Sequence, residues 1–321
     1  WDVYTTAGQY AHWEEENLGV LAKEIEEFTN GRLKLKIFYL GEHPYGAFDL
    51  LKAVSAGDCD IAEIPSYYTS GIEPALAAIN LPFVIPSWDI WTKVHERMLD
   101  TYVKDILAEN WNCKELISGL WGPENFFLTD GFITDFKSVK GKKLRSWCPE
   151  TANTIEMLGG EPVTVAYAEL YTALQTGLVD GFCTNTLSAM RGGFWEVCPY
   201  LTVFNFAYGP CMFCANLDSW NELPPDLRDP LTGFLESKRD WFLTGILKDD
   251  GMTFLTEAIT RYEMHIMAAP SEFSDECRAR SYEAVHKPWL ERVGPTGAEA
   301  YNEIAKIVAE EGYPMPGYEI K

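Results

Sequence analysis

The chain of 321 residues carries 48 acidic against 26 basic side chains, a net charge of −22 with histidine neutral. That balance excludes a basic nucleic-acid face and docking on anionic lipid, and no apolar run approaches the ~18 residues needed to span a bilayer. Hydrophobic residues make up 47% of the chain, enough for one or two cores, so general disorder is excluded.

The first stretch, Val3 to Thr6, reads as a strand. Leu18, Leu21, Ala22, Ile25 and Phe28 then recur at spacings of three and four, which predicts one apolar helix stripe, stopped by Asn30-Gly31. Leu33 to Tyr39 alternates as a strand. A helix over Phe48 to Ala56, stopped by Gly57, leads to a strand from Asp60 to Ile64, broken by Pro65. This β-α-β-α-β order predicts a parallel sheet covered by helices, with a ligand crevice beyond the strand ends. Gln9 to His12, Glu42 to Tyr45 and Pro65 to Tyr68 are placed near that crevice.

A second alternating unit starts near residue 124. Lys143 to Trp147 is a strand, Thr151 to Leu158 a helix, Val163 to Val165 a strand, Ala168 to Thr176 a helix and Val179 to Thr184 a strand. From Pro225 a helix is expected to run toward Ile259, longer than one domain needs. The eight cysteines are irregularly spaced, and the single CxxC, Cys211 to Cys214, lies in a run from Phe204 to Phe213 that reads as a strand. Buried thiols, one or two disulfides and a metal site all remain open on spacing alone, although no second ligand pair completes a metal set.

Catalytic patterns are missing. There is no GxSxG, no GxGxxG and no Walker sequence, and histidine occurs only at 12, 43, 95, 265 and 286. No base–nucleophile set emerges, so the chain is not read as an enzyme, and no cofactor or metal is expected. His12 and His43 follow strands and are candidates for the crevice.

The most specific stretch runs from Val139 to Tyr200: VKGKKLRSW, then LGGEPVTVAYAELYTALQTGLVDGF, then FWEVCPYL. It resembles the substrate-binding proteins of TRAP (tripartite ATP-independent periplasmic) transporters. The segment Ala168 to Gly181 matches their pattern nearly residue for residue, and EFTNGRLKLKIFYLGE and WNELPPDLRDPL also fit. The resemblance implies an α/β fold of two lobes, a type II-like periplasmic-binding-protein fold with a ligand cleft between lobes and a long helix backing both. Lobe I is expected to take residues 1–123 and 213–251, and lobe II residues 124–212 and 252–321. It further implies a periplasmic receptor that binds a small organic acid and hands it to the TRAP permease membrane subunits, with no nucleic acid, no membrane insertion and a monomeric state. The start at Trp1 fits a mature exported chain whose signal peptide has been removed.

By the same resemblance the arginine of the family's K-x-R element, which holds the ligand carboxylate, corresponds to Arg145. Arginine offers a carboxylate two parallel N–H donors. Tyr167 matches an aromatic position that packs on ligand, and either Thr184 or Asn185 follows the DG turn as a polar contact. Trp147 and Phe182 stand where relatives are often smaller or more polar. Tyr10, His12, His43, Tyr67 and Tyr208 complete the candidate set. Relatives that bind acidic sugars carry a second arginine about twenty residues before the first; here that region reads Pro123-Glu124-Asn125-Phe126-Phe127, without a cation. The expected ligand is therefore a monocarboxylate with an apolar or aromatic body. A sulfonate, a polar hydroxy or sugar acid, and a sensory ligand-binding role are the alternatives.

Overall fold

The computed structural model describes residues 1–6, 17–248 and 250–321. The chain divides into two units. One holds Trp1–Thr69, Leu99–Leu120 and Pro210–Lys248; the other holds Ser70–Met98, Trp121–Gly209 and Asp249–Lys321. The described strands are, in chain order, β1 (Asp2–Tyr4), β2 (Lys36–Phe38), β3 (Ile61–Pro65), β4 (Cys113–Leu128), β5 (Lys143–Ser146), β6 (Glu161–Thr164), β7 (Gly181–Asn185), β8 (Tyr200–Val203), β9 (Tyr208–Asn216) and β10 (His265–Ala268).

In the first unit β1 lies parallel between β2 and β3, with Val3 paired to Ile37 on one side and Ile61 on the other. β9 adds to β3 antiparallel, Ile64 opposite Met212. The helix Leu18–Phe28 buries Leu18, Leu21 and Ile25 as its periodicity requires. Phe28 departs from that stripe. It stays 42% exposed and stacks on Phe234 of the helix Pro225–Lys248 at 4.5 Å. The strand expected over 33–39 shrinks to β2. Leu33 gives its amide to Thr29 Oγ1 at 3.2 Å and takes the hydroxyl at 3.3 Å, so its backbone groups are withdrawn from the ladder. The helix before β3 opens with a 3₁₀ turn at Ala47–Asp49, continues as Leu50–Ala56, and stops at Gly57 with φ 79°.

In the second unit the strand order is β6-β5-β7-β4, with β8 on β4 and β10 on β8. β5 is parallel to β6 and β7, whereas β4 pairs antiparallel with both β7 and β8. All five residues of β7 are buried, the pattern of a strand covered on both faces. Gly181 has no alternative here, because a Cβ would run into the Phe127 carbonyl oxygen of β4. Phe127 and Phe182 stack at 4.8 Å inside a core with Val165, Leu170, Leu174, Phe194 and Leu201.

The run from Phe204 to Phe213 is not one strand. Asn125 Oδ1 accepts the amides of Phe204 and Asn205 at 2.7 and 2.9 Å, and Asn205 adopts φ 50°, so the chain breaks between β8 and β9. The expected helix from Pro225 toward Ile259 is found as Pro225–Lys248 and Asp250–Thr260. The sixteen-residue β4 and the helices Trp88–Met98, Lys104–Trp111, Ser271–Ser281 and Lys287–Glu310 were not foretold by the periodicity. The eight cysteines are free thiols, seven of them buried. No described helix is long and apolar enough to cross a membrane.

Candidate functional site

β5 carries a run of three buried residues, Leu144, Arg145 and Ser146. Arg145 is only 2% exposed. Its Nε donates to the Val165 carbonyl at 2.9 Å, and its guanidinium lies 4.8 Å from the centre of the Trp147 ring. Nη2 is buried and, among the described residues, has no hydrogen-bond acceptor. A guanidinium is always charged and its donors are costly to leave unmet out of water, so this atom calls for an acceptor that the described residues do not supply.

The turn after β5 fixes the ring beneath the guanidinium. Thr151 Oγ1 accepts from the amides of Trp147 and Cys148 at 3.3 and 3.2 Å, at the start of the helix Pro149–Leu158. Glu150, buried in the first turn of that helix, accepts from Ser70 Oγ at 2.7 Å and is ion-paired with Arg292. The helix start is thereby anchored by a pair independent of Arg145.

β7 supplies the polar groups opposite. Thr184 and Asn185 are buried at 6% and 2% exposure. Asn185 Oδ1 caps the helix Thr186–Arg191, accepting from Ser188 N at 2.8 Å. β4 places Glu124 in register with Asn185 and Asn125 with Thr184. Glu124 is 1% exposed, and its Oε2 has no partner among the described residues. Burial raises its carboxyl pKa to about 8, against the positive charge of Arg145 and the hydrogen bond with Asn185, which both lower it. At neutral pH Glu124 therefore stays largely protonated and does not neutralise Arg145. The sequence of Pro123 to Phe127 reads only as a segment without a cation. A Glu-Asn pair ahead of the apolar run Phe126-Phe127-Leu128 is the signal for this residue.

The other candidates are placed as follows. Tyr167 is half-buried, donates its hydroxyl to Ser188 O at 2.7 Å and meets Phe194 edge-on at 5.3 Å. Phe182 lies wholly inside the core, between Phe127 and Phe194. Tyr208, at the start of β9, is 5% exposed, and burial pushes its phenol up to about 12. His43 and Tyr67 belong to the first unit. His43 Nε2 bonds Thr5 O at 2.9 Å and its ring stacks on Tyr4, and Tyr67 meets Tyr68 edge-on at 4.7 Å. Tyr10 and His12 lie outside the described residues. Arg145, Trp147, Thr184 and Asn185 thus come from neighbouring segments of one unit. No group of His, Cys, Asp and Glu suited to a metal ion occurs among the described residues.

The sequence model of the bacterial extracellular solute-binding proteins, family 7, matches residues 6–291. A solute-binding protein of Chromohalobacter salexigens is 30% identical over 209 residues, covering 63% of this chain and 60% of that protein. The chain thus spans less than two thirds of that relative's length. Among solved structures, an extracytoplasmic solute receptor of Bordetella pertussis binding pyroglutamic acid superposes with a TM-score of 0.86 at 21% identity, over 95% of this chain and 99% of that one. A TRAP periplasmic solute binding protein of Chromohalobacter salexigens with bound D-glucuronate gives 0.86 at 21% identity, over 96% and 99%. The fold is that of these two-lobe periplasmic binding proteins.

Proposed function

The chain belongs to the bacterial extracellular solute-binding proteins, family 7, and from that premise we propose that it is a receptor for a small organic monocarboxylate which it delivers to a TRAP membrane permease. Members of this family are periplasmic binding proteins and not enzymes.

The observation that carries the reading is the buried Nη2 of Arg145, an unmet donor on a fixed cation. A carboxylate satisfies it in charge and in geometry. Nε is already committed to Val165 O, so Arg145 has one edge left for an anion. The Trp147 face beside the guanidinium favours a ligand whose body is apolar or a flat ring. A second carboxylate would find no second arginine on β4 or β7, whose residues carry no cation between Gly122 and Leu128 or between Gly181 and Asn185. The Bordetella pertussis receptor binds pyroglutamic acid, a ring-bearing monocarboxylic acid, and this supports the same class. The glucuronate-bound relative supports an acid ligand in general.

A thermal-shift panel tests the reading. Pyroglutamate, orotate and short 2-oxoacids are expected to raise the melting temperature more than succinate or glucuronate. A dicarboxylate as best ligand overturns the single-carboxylate assignment, and a sugar acid as best ligand overturns the apolar or ring-bearing body.

A further inference from the structure

We propose that Glu124 is the second contact of the carboxylate held at Arg145, donating a hydrogen bond from a protonated Oε2, so that above the pH at which this carboxyl ionises the site takes up its anion together with one proton. The proposal rests on the receptor reading above and names the residue that completes that site.

Glu124 Oε2 and Arg145 Nη2 are two buried polar atoms in this unit left to be satisfied. Asn185 sits in register with Glu124, and its Oδ1 is occupied by Ser188 N. The amide Nδ2 is the group left to face Glu124, and Asn185 is among the influences that lower that carboxyl. The other oxygen, Oε2, is buried with no partner among the described residues, as is Nη2 of Arg145. A ligand carboxylate has two oxygens, each able only to accept. The Nη edge of Arg145 holds the carboxylate, and an oxygen turned toward Glu124 meets a donor if that carboxyl is protonated but only a repelling lone pair if it is ionised. The acid form satisfies all the open atoms at once.

The surroundings favour that form. Among the described residues, the charged and titratable groups that act on Glu124 are Arg145 on β5 and the thiol of Cys183 on β7, which in turn faces Cys148 beyond β5. Both thiols are raised well above neutrality, chiefly by burial, and stay protonated. The chain that follows β8 brings Phe204, Phe206 and Ala207, which carry no charge, and Glu124 exchanges backbone hydrogen bonds with the last two. Burial is the dominant influence on the carboxyl. A bound anion adds a like charge and also weakens the pull of Arg145, so the proton is held more tightly in the complex. Above the carboxyl's own titration the proton must be drawn from solvent, and affinity falls about tenfold for each pH unit.

The test uses the full chain labelled with ¹³C at glutamate carboxyls, with E124Q identifying the signal. Titrated without ligand, the Glu124 carboxyl is expected to change state near pH 8, and higher with saturating pyroglutamate. In parallel, wild-type affinity for pyroglutamate should fall roughly thirtyfold between pH 6.5 and 9.5. E124Q keeps a neutral donor at all pH values and should stay flat. A Glu124 carboxyl titrating below pH 6 without ligand overturns the proposal, as does an E124Q profile that falls in step with wild type. Failure of pyroglutamate to bind wild type at any pH counts against the monocarboxylate reading instead, and the ligand-free titration still decides whether Glu124 holds the proton.

Discussion

The guanidinium of Arg145 lies 4.8 Å from the centre of the Trp147 ring, two residues along the same strand end. The ring covers one face of the cation, while Val165 O occupies its Nε edge. Stacking of this kind contributes about 0.5–2 kcal/mol when desolvated. Replacing Trp147 with Leu keeps an apolar contact and removes the ring face. Monocarboxylate affinity should drop about three- to thirtyfold. Calorimetry that finds Trp147→Leu equal to wild type would show that the ring neither orients Arg145 nor touches ligand.

Glu124 also leaves a mark on stability. Its carboxyl titrates near 8 in the folded chain and near its ordinary 4.5 when unfolded. Between those values the unfolded state has lost a proton that the folded state keeps, so stability falls as pH rises. The loss is about 1.4 kcal/mol for each pH unit in that window, several kcal/mol in all. Glu124→Gln removes this slope. Urea unfolding at pH 5 and pH 8 should show the variant gaining on wild type at the higher pH, and parallel behaviour would contradict the burial argument.

His286 has the opposite slope. Its Nε2 lies 2.7 Å from Pro82 O, and its Nδ1 lies 3.0 Å from the Tyr301 hydroxyl. A carbonyl only accepts, so Nε2 carries the hydrogen and Tyr301 donates to Nδ1. Burial lowers the imidazole to about 4. The unfolded state gains a proton near 6.5 that the folded state refuses, so stability is lost as pH falls from about 7 toward 4. Tyr301→Phe strands Nδ1 and should cost about 1–3 kcal/mol at neutral pH. A His286→Gln variant should lack this acid-dependent component in matched unfolding curves.

The β-α alternation was legible because its helices bury one stripe and its short strands lie between glycine-bearing turns. Leu18, Leu21 and Ile25 follow the first rule, and β7 is buried throughout although it ends in the polar Thr184 and Asn185. Failures came where side chains capture backbone groups. Thr29 takes Leu33 out of β2, and Asn125 breaks the run after Val203. Neither capture has a periodic signature: one comes from a hydroxyl four residues away in the chain, the other from an amide 79 residues away. At the candidate site, Arg145 stands out through a local motif. Glu124 was passed over, because its significance lies in burial beside a strand neighbour, Asn185, that is 61 positions away in the chain.

Glu115, in the first half of β4, is buried and paired with Arg239 at 3.2 Å, with Ser118 Oγ donating at 2.8 Å. Burial raises its carboxyl despite these partners. Arg239→Met leaves that carboxyl with the serine hydroxyl alone and should destabilise the chain by about 3–5 kcal/mol. The double variant Glu115→Gln with Arg239→Met should recover most of the loss. A double variant as unstable as the single one would mean that packing of the arginine stem, and not charge, is responsible.

The role assigned to Arg145 is tested most directly by titration calorimetry of wild type and Arg145→Ala with the monocarboxylate that gives the largest thermal shift, using circular dichroism as the folding control. Breaking a buried ion pair typically costs about 3–5 kcal/mol, which is a hundredfold to several-thousandfold loss of affinity at about 1.4 kcal/mol per decade. A folded Arg145→Ala variant is expected to lose at least a hundredfold, and Arg145→Lys much of that, since a point charge cannot reproduce the planar fork. Binding by folded Arg145→Ala within about threefold of wild type, under roughly 0.7 kcal/mol, would place the anion elsewhere.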